Sequence, residues 1–130
     1  MTTFDEQFES DAKEAMKLTR KFFVVELDFS DDSIRQLEEQ FDAIDYALSG
    51  GMSDENIQLL KRVWGSYLGE TIRRQYGGQW DLVSNDEGEE VPALTRQGKS
   101  LFPHQQVSQR LTEGDQHSIW EYYQELCKLK

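Results

Sequence analysis

Cysteine is almost missing from this chain of 130 residues. Cys127 stands alone, so no disulfide can close within the chain, and such usage fits a reducing compartment. Histidine is confined to His104 and His117. Their spacing from each other and from Cys127 matches no zinc motif, and both read as surface residues in polar stretches. Basic residues are short as well. Lys and Arg number 14 against 25 Asp and Glu, for a net charge of -11. A surface of that sign repels phosphate backbones and anionic lipid headgroups, which argues against nucleic acid or a membrane as partner. Long apolar runs are absent. The longest, Phe22-Phe23-Val24-Val25, is far too short to cross a bilayer, and the acidic start around Asp5 and Glu6 lacks the bases of a signal peptide. The expected location is cytoplasmic. There is no Gly-x-Ser-x-Gly elbow and no Walker spacing, and Cys127 sits too near the chain end to form an electropositive pocket. No catalytic residue, metal site or cofactor is expected.

What remains is enough for a core. Hydrophobic residues make up 37% and aromatics 12%, and they recur at regular spacings, unlike a disordered chain. The length fits one domain over 1–130. Phe4, Phe8, Ala12 and Ala15 predict a first helix over about 4–20. Phe22 to Phe29, rich in β-branched and aromatic residues, predicts a strand. Ser30 is placed to cap a second helix, whose stripe is Ile34, Leu37, Phe41, Ile44 and Leu48, stopped by Gly50-Gly51. Ser53 opens a third helix that ends at Gly77-Gly78, so the two helices should form a hairpin. Trp80–Val83, Val91–Thr95 and Lys99–Phe102 predict an antiparallel meander, with Pro92 marking an edge or irregular strand. Asn85-Asp86-Glu87-Gly88 reads as its first turn rather than a calcium loop, because the first ligand position would fall on Val83. Pro103 suits the start of a fourth helix, and Ile119, Trp120, Tyr123 and Leu126 mark a last one. The expected class is α+β, a helical hairpin and flanking helices on a small, mainly antiparallel sheet.

The segment Trp64 to Trp80 is the most informative. Gly65 and Gly69 lie four apart inside a helix, where each glycine costs about 1 kcal/mol relative to alanine. Close approach of another element is the natural compensation. Glu70 can pair with Arg74 or Arg73. A ligand site formed by Glu70, Arg73 and Trp80 is the alternative to plain packing.

The pattern Leu27-Asp28-Phe29-Ser30-x-x-Ser33-Ile34, followed by Tyr67-Leu68-Gly69-Glu70-x-Ile72-Arg73-x-x-x-Gly77-Gly78-x-Trp80 and a helix-opening Phe102-Pro103, resembles a widespread group of small bacterial proteins of unknown function. The resemblance spans about residues 24–123. It implies a bacterial or phage source and a compact α+β unit, and it brings no activity, catalytic residue or cofactor.

Charge is unevenly distributed. Residues 1–60 hold 15 acids and 5 bases, residues 61–130 hold 10 and 9. On the second helix Glu38, Asp42 and Asp45 share a face away from the apolar stripe, with Glu39 beside them. These four are the candidate docking residues for a basic protein. The expectation is a non-enzymatic interaction protein, immunity-like or chaperone-like, acting as a monomer or homodimer. The rival is a small-ligand binder or enzyme at Glu70, Arg73 and Trp80.

Overall fold

A computed structural model of the chain describes residues 4–23, 25–47 and 53–128. The elements run α1 (Phe4–Phe23), α2 (Asp31–Ala47), α3 (Asp54–Tyr76), β1 (Gln79–Ser84), β2 (Glu90–Arg96), β3 (Lys99–Leu101), α4 (Pro103–Glu113), a short 3-10 turn (Asp115–His117) and α5 (Ile119–Lys128). The fold is α+β, with an antiparallel sheet of order β1-β2-β3.

The expected strand at Phe22–Phe29 does not form. α1 continues through Phe23, and residues 25–28 have no regular structure. The reason lies in where the backbone polar groups go. Phe29 N–H donates to the Tyr67 hydroxyl at 2.9 Å, and Phe29 C=O accepts from Gln75 Nε2 at 2.9 Å. Side chains of α3 thus replace a strand ladder. Phe29 itself has φ 63°, which interrupts any extended run. The apolar residues of the stretch still pack. Leu27 is buried, Phe23 meets Trp64 with ring centroids 5.9 Å apart, and Phe29 stacks on Tyr67 at 5.0 Å.

Helix starts follow the sequence. Ser30 Oγ accepts from Ser33 N–H at 3.2 Å, and Ser53 Oγ from Asn56 N–H at 3.3 Å, each satisfying an orphan amide of a first turn. Gly77, at φ 91°, closes α3. The Gly50-Gly51 stop lies outside the described residues. α3 is the centre of the molecule, buried without interruption from Val63 to Ile72. α1 and α4 flank it most closely, and α2 meets it through side chains, with Phe41 edge-on to Trp64 at 4.8 Å.

In the meander, Pro92 stands on β2, the middle strand, opposite Leu82. β3 pairs with β2 only from Leu94 to Arg96, so β2 is an edge at the proline, where a missing N–H costs no ladder bond. The turn at Asn85 is a hairpin turn. Asn85 Oδ1 accepts from Glu87 N–H and Glu89 N–H, both at 2.9 Å. No described helix is long and apolar enough to cross a membrane.

Candidate functional site

The two interior glycines of α3 mark close approaches. A Cβ on Gly65 would stand 2.7 Å from the His104 Cα and 2.6 Å from its ring. A Cβ on Gly69 would run into the Trp80 indole and stand 3.1 Å from Pro103. Their side-chain-free surface lets the start of α4 and the first strand sit against α3.

Glu70, Arg73 and Trp80 are brought together as the sequence suggested. The Glu70 carboxylate is fully buried. It accepts from Arg73 Nε at 2.7 Å, from Arg74 Nε at 3.2 Å and from Trp80 Nε1 at 2.9 Å. Burial pulls its pKa up, but the hydrogen bonds from Arg73 and Trp80 and the Arg73 charge outweigh it, so the carboxyl sits below its ordinary value. Trp80 is buried beneath Phe8, with centroids 4.3 Å apart. None of these three residues lines one of the main recesses of the surface. The Glu70 carboxylate thus has its partners within the fold, while Arg73 and Arg74 are about a third exposed, at 31% and 37%.

The candidate docking residues divide. Glu38 turns inward. Its carboxylate accepts from Arg110 Nε at 2.6 Å and from Ile119 N–H, at the start of α5, at 2.7 Å. Arg110 is fully buried and also faces the Phe41 ring. Glu38 therefore joins α2 to α4 and α5, because a buried guanidinium needs a carboxylate partner. Glu39 is exposed and pairs with Arg35 at 2.6 Å. Asp42 and Asp45 belong to α2, and their side chains lie outside the described ones.

His104 corrects the sequence expectation most clearly. Gln105 and Gln106 give its neighbourhood a polar look, yet the ring is 5% exposed. It fits there because Gly65 leaves room for it. Nε2 lies 2.9 Å from Ser66 Oγ, while Nδ1 is buried with no hydrogen-bond partner. Burial, with the charge of Lys61 adding to it and the Arg62 carbonyl opposing it, lowers its pKa to about 4, so the imidazole is neutral at neutral pH. Two recesses meet at this residue. One, of about 360 Å³, is lined by Phe8, Asp11, Lys61, Arg62, Leu82 and His104 among others. The second, of about 340 Å³, shares Lys61, Pro92 and His104 with it. Gly65, on a different helix from His104, is the one sequence feature that could have pointed to this ring. His117 is half-buried and lies 3.2 Å from Glu113. Among the described residues no three His, Cys, Asp or Glu side chains gather as a metal site would require.

No curated protein and no solved structure matches the chain. A family model described as a domain of unknown function (DUF3806) matches residues 40–123, more than half of the chain. That region contains the Tyr67–Trp80 pattern and Phe102-Pro103, while Leu27–Ile34 lies ahead of it, and the chain belongs to the DUF3806 family.

Proposed function

We propose that this chain is a non-enzymatic interaction protein that docks a basic protein on the outer face of α2, as an immunity protein or an acidic chaperone does. The observation that carries this reading is the charge of that helix. Within Asp31–Ala47 stand Asp31, Asp32, Glu38, Glu39, Asp42 and Asp45 against Arg35 alone, with no base in the last turn. Carboxylates near a helix C-terminus oppose the helix dipole, by about 0.3–1 kcal/mol each. A cationic partner would relieve that repulsion and would be steered in by the overall charge. Glu38 is engaged by Arg110, so the docking set is Glu39, Asp42 and Asp45. The rival site at Glu70, Arg73 and Trp80 loses support because its polar groups satisfy one another.

The test compares the tagged parent with the Glu39→Lys/Asp42→Lys/Asp45→Lys variant in capture from a bacterial lysate at low salt, with mass spectrometry of what is retained. A basic protein should be held by the parent, released by salt, and lost in the variant. Equal retention by both, or no basic protein on the parent, would sink the reading.

A further inference from the structure

The chain carries a net charge of -11, yet one recess of its surface is basic. It lies between the C-terminal half of α1 and the irregular stretch that follows. Its volume is about 310 Å³, and its lining is Lys13, Met16, Lys17, Arg20, Glu26 and Leu27. Positions 13, 16, 17 and 20 follow the helical spacing i, i+3, i+4 and i+7, so Lys13, Lys17 and Arg20 stand along one face of α1 with Met16 among them. The opposite wall exists because residues 25–28 form no strand. Leu27 is buried there, at 4% exposure, and Glu26 stays outside.

Three cations meet one carboxylate at this recess. Glu26 reaches Arg20 Nε at 3.3 Å, but with side chains 76% and 73% exposed such a pair holds little. Lys13 meets Glu9 at 3.4 Å, one turn back along the helix. Lys17 has no carboxylate of the described residues within ion-pair distance. Lys13 and Lys17 are a like-charged i, i+4 pair, which works against the helix. The helix dipole favours Arg20 and Lys21 in the last turn but does not reach back to Lys13. An anion seated between the two ammonium groups would relieve their repulsion.

The floor selects the rest of the ligand. Leu27, the adaptable Met16 side chain and the aliphatic stems of the lysines offer it apolar contact only. The largest recess, about 530 Å³ beside α5, has the opposite sign, with Glu121 and Glu125 in its lining and no Lys or Arg. Apolar walls under a few convergent charges are the usual form of a small-molecule site.

We propose that the α1 recess binds a small anionic amphiphile, a medium-chain fatty carboxylate, with its headgroup between Lys13 and Lys17 and its chain laid over Met16 and Leu27. No α2 residue takes part, so this site stands or falls apart from the docking face.

The test uses the full chain labelled with [methyl-¹³C]methionine, the Met16 signal being identified by its loss in Met16→Leu. Octanoate is titrated, with octylammonium as its cationic counterpart, acetate as the headgroup without a chain, and phosphatidylglycerol vesicles as anionic lipid held in a bilayer. Octanoate should shift the Met16 signal saturably, with a Kd below about 1 mM. Octylammonium is drawn to the protein by its net charge, yet should bind about tenfold more weakly or worse. Acetate and the vesicles should leave Met16 in place. Lys17→Glu should weaken octanoate about tenfold or more, while Lys99→Glu, the same change of charge at an exposed position of β3, should leave its Kd within about twofold. The inference is overturned if octanoate gives no saturable shift at Met16, or if octylammonium binds as tightly. It is equally overturned if acetate or the vesicles move Met16 as octanoate does, or if the two lysine variants bind octanoate alike.

Discussion

The hydroxyls of Ser33 and Tyr67 lie 2.6 Å apart, both buried, where the start of α2 meets the middle of α3. Tyr67 also accepts the Phe29 N–H, and Ser33 donates to the Ser30 carbonyl at 2.6 Å. The two halves of the sequence pattern, one around Asp28-Phe29-Ser30 and the other around Tyr67-Leu68-Gly69-Glu70, are therefore one contact. Tyr67 is the residue through which they meet.

Tyr67→Phe tests that contact. The ring can stay, but Phe29 N–H loses its acceptor. A buried donor left unsatisfied costs about 1–3 kcal/mol, and urea unfolding should show a loss of that size. An unchanged midpoint would mean that water or another group replaces the hydroxyl.

The glycines of α3 should resist substitution. On an open helix face Gly→Ala stabilises by about 0.4–1 kcal/mol. Here the added methyl meets the backbone of α4 at Gly65 and the Trp80 indole at Gly69, and overpacking of this kind costs about 1–3 kcal/mol. Both Ala variants should unfold at lower urea concentration than the parent. Two more stable variants would refute the close approach.

Glu38→Gln should be far more harmful than Glu39→Gln. Removing the carboxylate charge weakens a buried ion pair and the bond to Ile119 N–H, at a cost of about 1–3 kcal/mol, and Arg110 is fully buried. Glu39 is exposed, and its substitution should change stability by no more than about 0.5 kcal/mol. Thermal melts of the two variants side by side decide the point.

Stability should fall in two stages on acidification. His104 has a folded pKa of about 4 against an ordinary 6.5. Between those values the unfolded chain holds more protons, so the stability present above pH 6.5 is lost as pH falls toward 4, by about 3 kcal/mol in all. Glu70 is also lowered, from 4.5, so its contribution is complete above that value and is lost only below it. Asp11, raised by burial despite Arg62, works in the opposite sense in the acid range. Urea midpoints measured from pH 7 to 4 should decline in the parent and much less in His104→Gln. A flat profile in the parent would contradict the buried neutral imidazole.

Most elements were legible because their ends carry explicit chemistry. Ser30 and Ser53 cap, Gly77 stops, Pro103 starts, and each does so in the structure. The stretch 25–28 was misread because β-propensity reports a half-buried pleated surface, not the presence of a partner strand. Here α3 side chains satisfied the backbone instead. Glu38 was misread because helical spacing places it off the apolar stripe, and nothing local reveals that Arg110, 72 residues later, would be buried against it. His104 was missed for a similar reason. Its burial depends on the absence of a side chain at Gly65, a distant position on another helix.

The region shared with the DUF3806 family begins at residue 40, in the middle of α2, and this does not coincide with a structural boundary. Three groups buried inside the shared region find their partners ahead of it: Trp64 Nε1 donates to Thr19 Oγ1 at 3.0 Å, Tyr67 meets Ser33, and Arg110 meets Glu38. A fragment cut at residue 40 would remove these three buried contacts, and at about 1–3 kcal/mol each their combined cost rivals the total stability of an ordinary domain, about 5–15 kcal/mol. The stretch that defines kinship and the stretch that folds are different lengths of the same chain, and excising the first should yield an unfolded polypeptide.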